Sequence, residues 1–506
     1  MDGGKDWKMA AKGCIINLLR SQRGRAVCLG VLAALAAAIL LLALRPKAVL
    51  IQTLTETPEG LTQYDVTLKL LPDSREIAAT EKIAYRNDTG DTLDHILLRT
   101  FLNAYRAEET SPAAGGGLLE ACYPDGFDPG YLTIYEVFWN GERAACSFDD
   151  DACTALRVTV PPLKPGETGE MTLRFTGLIP RCAHRAGETR GIWQLGNVIP
   201  QIPLYQDHAF RADPYSPIGD PFVSPCADFT LHVFAPEGFV PACSAPLEKQ
   251  SDGGWHGFIP AARDAALCLS ADYKTVSAAA GDLLITACAR KAEDARAALD
   301  CAKRAVETFC ELYGPYPYAA LTVCEADFPF GGMEYSGLVM IGSECFAQGM
   351  RETLELTVAH EAAHQWFYGL VGSDQVYAPW QDEALCQWAM LRYVGKTYGR
   401  GSYETLKYYR VDAPMMEAVP GSLTPGSPID YFGSLTDYST VVYGRGTALL
   451  TALDEMLPKG TDGFLRAYAD AFRYRFVTRL EFEAFLNGYA GMDLSPLLLD
   501  YLDTAH

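Results

Sequence analysis

Positive charge is scarce in this 506-residue chain, with 42 Lys and Arg against 63 Asp and Glu and a formal net charge of −21. So acidic a protein is not expected to bind nucleic acid nonspecifically, and no nucleic-acid partner is expected. No internal repeat is present. The fifteen cysteines show no short-spaced metal pattern and no dense disulfide framework. Cys146 and Cys153 are close enough in sequence for a local disulfide, with buried free thiols at least as well supported. Histidine is rarer still, at eight residues.

What the chain does have is length. At 506 residues, about half of them hydrophobic, it exceeds a single core and calls for two or more folded domains. Residues 1–47 hold eight Lys and Arg against two Asp. Among them lies "AVCLGVLAALAAAILLLAL", nineteen residues from Ala26 to Leu44 without a charge. As a helix this run spans ~28 Å, close to the ~30 Å hydrocarbon core. Six basic residues precede it and two follow closely. The positive-inside rule therefore predicts a cytoplasmic basic tail (1–25), a transmembrane signal anchor (26–45) and an extracellular catalytic domain at the plasma membrane. The bilayer is then a partner. A cleaved signal peptide is the competing reading, set against by the long leading segment and the absence of a clear small-x-small site.

Period-two alternation dominates residues 48–275. "YDVTLKLL" puts Tyr64, Val66, Leu68 and Leu70 on one face, and "EMTLRFTG" and "DFTLHVFAP" repeat the pattern. Half-buried strands between Pro, Gly and Asp turns predict an antiparallel all-β saddle or sandwich. "AAGGG" at 113–117 reads as a flexible loop. Near residue 290 the period changes. "RKAEDARAALDCAKRAVETFCELYG" has helical spacing and ends at Gly314 before Pro315. "ALTVCEA" and "LVMIG" read as strands, and from about 353 the chain is mostly helical.

His360 and His364 frame "HEAAH". Four residues turn a helix through about 400°, so both rings leave one face and reach one ion. Glu361 sits at the edge of that face, where it touches a metal-held water without displacing it. Catalytic zinc takes a third protein ligand and keeps a fourth position open. Glu383, in the acidic helix start "WQDEAL", lies nineteen residues beyond His364 and returns to the ion if its helix packs antiparallel to the first. Cys386, one turn on, reads as core. The other histidines (His95, His184, His208, His232, His256 and His506) have no partner spacing.

HEAAH followed by eighteen residues and Glu resembles the gluzincin aminopeptidases, the aminopeptidase N family. "LYGPYPY" at 312–318 is similar to the entry of that family's catalytic sheet. "GGMEY" at 331–335 resembles its Gly-Ala-Met-Glu-Asn exopeptidase motif, and "YSTVVYGRG" at 438–446 the segment of its catalytic tyrosine. A third histidine six residues beyond His364, as metzincins require, is replaced by Leu370. The resemblance implies a thermolysin-like α+β zinc peptidase domain over 276–506. It implies one zinc on His360, His364 and Glu383, Glu361 as base and Tyr443 on the oxyanion.

Glu334 is then expected to hold a free α-ammonium by a charge-assisted bond, and Gly331, Gly332 and Met333 to lie along the peptide. The expected partner is a peptide with a free N-terminus. Tyr335 departs from the motif's asparagine. Glu188 and Gln194 are candidates for a second amine contact. Two further functions stay open: a zinc endopeptidase on the same site, and a non-catalytic membrane-tethered component for peptide binding or assembly.

Overall fold

The computed structural model describes residues 51–504. The apolar run at 26–45 lies outside them. The plasma-membrane placement is corrected here: among the described residues no helix is long and apolar enough to cross a membrane.

Alternating sequence becomes sheet where expected. Strands β1 (Thr62–Leu71), β2 (Glu76–Arg86), β3 (Tyr131–Trp139), β4 (Thr168–Leu178), β5 (Ala227–Phe234) and β6 (Trp255–Ala262) belong to one eight-stranded sheet. Tyr64, Val66, Leu68 and Leu70 are all buried. The sheet is not wholly antiparallel, because β1 and β5 pair in parallel, Thr62 opposite Ala227 through Lys69 opposite Phe234. Parallel neighbours need a long crossover, and the chain between these two builds β2, β3, β4 and smaller sheets before returning. Tyr64 stacks on Phe229 across the parallel pair, at 4.7 Å between centroids and 7° between planes. All the described cysteines are free, Cys146 and Cys153 included. The 113–117 segment is partly packed: Ala113 is buried, and a Cβ on Gly115 would come within 2.1 Å of Pro217.

A second sheet follows, in the order β7 (Lys274–Ala280), β8 (Leu283–Ala289), β9 (Ala320–Ala326), β11 (Leu338–Gly342), β10 (Gly332–Met333). Its inner pairs, β8–β9 and β9–β11, are parallel, and its outer pairs antiparallel. Every residue of β9 and β11 is buried, as parallel strands covered on both faces require. β10 is thereby left as an edge strand.

Helix α1 (Ala292–Tyr313) ends at Gly314, whose φ of 104° favours glycine. Helices α2 (Arg351–Ala363) and α3 (Trp380–Tyr398) carry the metal motif. Between them the chain leaves helical geometry at Phe367 and Tyr368, which lets α3 fold back against α2.

Arg263 and Asp264, just after β6, tie the first sheet to the helical part. The Arg263 guanidinium donates to the carbonyls of Ser224, Arg475 and Tyr368. Asp264 accepts from the Ser336 amide at 2.8 Å and from the Tyr368 hydroxyl. An Arg263→Met substitution leaves three carbonyls unpaired. It is expected to cost about 2–4 kcal/mol in urea unfolding; a loss below about 0.5 kcal/mol would remove Arg263 as a clamp.

Candidate active site

His360 lies on the last turn of α2 and His364 caps its C-terminus. Both rings point to the first turn of α3. His360 Nε2 is 3.1 Å from Glu383 Oε2, His364 Nε2 is 3.4 Å from the same oxygen, and the two ring nitrogens are 3.2 Å apart. A tetrahedral ion with bonds of ~2.0–2.1 Å needs donors ~3.3–3.4 Å from one another. The triangle therefore fits a zinc-sized ion. Burial works against charge on Glu383, but the two imidazoles outweigh it and hold its carboxyl well below the usual range. Two imidazoles and one carboxylate are a donor set that suits zinc.

The next residue completes the arrangement. Asp382 Oδ1 is 2.7 Å from His364 Nδ1, and its Oδ2 accepts from Gln375. Such a carboxylate fixes the tautomer and orientation of the imidazole. In the sequence Asp382 reads only as helix-start chemistry; its place directly before Glu383 was the available signal. Cys386 completes a second compact group with His364 and Asp382, whose Oδ1 already sits 2.7 Å from His364 Nδ1. Among the described residues, every group of three that is able to hold one ion involves His364. Among the described residues, His95, His184, His208, His232 and His256 belong to no such group.

Glu361 lies beside the triangle and is buried. Burial pushes its carboxyl up to about 8, against the opposing charge of His364. Gly332 packs directly on it, since a Cβ there would fall 2.4 Å from Glu361 Cγ. Only glycine lets β10 approach so closely. Gly331 accepts from the Gly342 amide at 2.8 Å, which fixes β10 on β11 and leaves its other edge to the cleft. Met333 is buried, and its sulfur accepts from Arg185 Nε at 3.1 Å.

Glu334 follows on the same strand end. It is 3% exposed, and its Oε1 has no hydrogen-bond partner among the described residues. Burial, and next the charge of Asp220, push its carboxyl well above the usual range. Asp220 is itself paired with the buried Arg185 at 2.5 Å. Neither residue carries a sequence signal, because the pair forms only when distant loops meet. Tyr335 turns away: its hydroxyl donates to Asn197 Oδ1 at 2.7 Å, so the departure from asparagine is absorbed by that contact.

The Tyr443 ring stacks on His360 at 5.5 Å, its hydroxyl beside the Glu383 carboxylate. Tyr438 packs edge-on against Tyr443 at 5.8 Å. His360, Glu361, Tyr438, Tyr443, Arg185 and Asp220 line one cleft of about 410 Å³. The two candidate second amine contacts are engaged elsewhere. Gln194 bonds the Asp327 backbone and the His184 carbonyl, and Glu188 accepts from the Gly191 amide.

An Asp382→Asn substitution is expected to weaken zinc affinity ~10–100-fold in a chelator competition. Unchanged affinity would show that His364 needs no partner.

Comparison with known proteins agrees with this geometry. Residues 297–501 match the family model described as Peptidase family M1 domain. The chain is 29% identical over 195 residues to leukotriene A-4 hydrolase of Xenopus laevis, covering 35% of this chain and 30% of that protein. It is 25% identical over 415 residues to aminopeptidase N of Lactococcus lactis subsp. lactis, covering 74% of this chain and 46% of that one. It thus spans less than half the length of either relative. Its fold is similar to that of a two-domain M1 zinc metallopeptidase solved with L-arginine, with a TM-score of 0.64, 16% identity, and 91% and 98% of the two chains covered. An M1 zinc metallopeptidase from Deinococcus radiodurans is similar at a TM-score of 0.62 and 17% identity, with the same coverage. Residues 297–501 thus match the peptidase M1 family, and the chain is similar to the gluzincins related to aminopeptidase N.

Proposed function

We propose that the chain is a zinc aminopeptidase that removes N-terminal residues from peptides. The observation that carries this reading is the free, buried oxygen of Glu334 on the edge strand beside the His360–His364–Glu383 triangle. A carboxylate in that position gains a short, strong bond from a charged α-ammonium. A blocked terminus leaves it desolvated and unpaired, so the site selects free amines.

His360, His364 and Glu383 would hold zinc, which would supply Lewis acidity at the scissile carbonyl and lower the pKa of a water toward neutrality. The chain's residues do the rest. Glu361, fixed against Gly332, takes the proton of the attacking water and passes it to the leaving amine. Tyr443 donates its hydroxyl to the developing oxyanion, a contact worth ~10²–10³ in turnover. Its stacking on His360 fixes where that hydroxyl sits. The open edge of β10 accepts the peptide as an added strand.

Glu361→Gln is expected to lose hydrolysis of an aminoacyl chromogenic substrate by at least ~10²-fold while keeping one zinc per chain. Retained turnover would remove Glu361 as base. Glu334→Ala is expected to cost a free-amine peptide far more than its N-acetylated form. Equal losses would point instead to cleavage within chains.

A further inference from the structure

A second cavity, of about 690 Å³, lies between α2, the end of α3 and helix α4 (Arg400–Lys407). Leu356 lines both this chamber and the metal cleft. Glu352, Leu356 and His360 are four apart on α2 and share one stripe, so the chamber continues the cleft along that helix. Its floor is rigid: Glu355 accepts from Arg304 at 2.9 Å, from Tyr398 at 2.8 Å and from Tyr393. Tyr398 and Tyr409 line it while remaining 55% and 67% exposed.

The direction of the peptide leads there. With its amine at Glu334, an antiparallel strand on β10 runs past Gly332 to Gly331. A Cβ on Gly331 would lie 3.5 Å from Thr357. Thr357 and Thr353 line the cleft on the α2 turns before His360. Residues after the cleaved bond thus travel toward the start of α2, where the chamber opens. Glu352 is eight residues from His360, ~12 Å along the axis. An extended peptide covers that distance in about four residues.

We propose that the chamber binds the third to fifth residues of the substrate peptide, with a preference for apolar or aromatic side chains. The substrates are then oligopeptides rather than dipeptides. This rests on the aminopeptidase reading above.

The test uses the zinc-loaded chain on an aminoacyl chromogenic substrate, a dipeptide and two hexapeptides, all with the same first residue. One hexapeptide carries leucine and one glycine at positions three to five. The leucine hexapeptide is expected to exceed the dipeptide at least ~10-fold in kcat/KM, mostly through KM, and to exceed the glycine one. Tyr409→Ala and Thr405→Arg are each expected to lower the ratio of hexapeptide to chromogenic kcat/KM by ~5-fold or more. Chromogenic turnover with no dependence on length, or an unchanged ratio in both variants, overturns the chamber alone. Absence of chromogenic turnover overturns the aminopeptidase reading. Hexapeptide binding to Glu361→Gln, with and without Tyr409→Ala, then decides the chamber: weaker binding in the double variant supports it and equal binding refutes it.

Discussion

One carboxylate returning to two imidazoles organises the catalytic half. Glu383 reaches His360 and His364 only because α2 stops at His364 and the chain kinks before α3 folds back. Three donor atoms within 3.4 Å of one another are costly without a cation, since they crowd polar groups in a buried place. Asp382 adds a further buried carboxylate behind them. A concentration of negative charge and ring nitrogen that makes no sense as packing makes sense as a dication site.

The remaining features answer to that centre. The edge strand β10 comes within contact of Glu361 through Gly332, so the proposed base and the strand edge proposed as the peptide rail are fixed relative to one another. Glu334 is one residue past the rail, buried and with one oxygen unpaired. Arg263 and Asp264 hold the Ser336–Tyr368 region against the first sheet, and so keep rail and helices in register. Substrate selection, in this account, follows from how far the rail runs in each direction from the metal.

Much of this was legible in the sequence. A four-residue histidine spacing has one meaning on a helix, and the nineteen-residue step to Glu383 fits a helical hairpin. Period-two runs such as "YDVTLKLL" became strands with the expected face buried. Contacts that depend on long-range assembly were not legible. The parallel pairing of β1 with β5 leaves the alternation of each strand unchanged, so no local pattern reports it. Arg185 and Asp220 meet through loops. Gln194, polar and in a promising stretch, spends both ends of its amide on the Asp327 backbone and the His184 carbonyl. Cys146 and Cys153, close in sequence, are both free thiols.

X-ray absorption at the zinc edge of the purified chain tests the central claim most directly. One zinc is expected, with two imidazole nitrogens and light oxygen donors at ~2.0–2.1 Å and no sulfur. A scatterer at ~2.3 Å would assign Cys386 to the ion in place of Glu383 and contradict it.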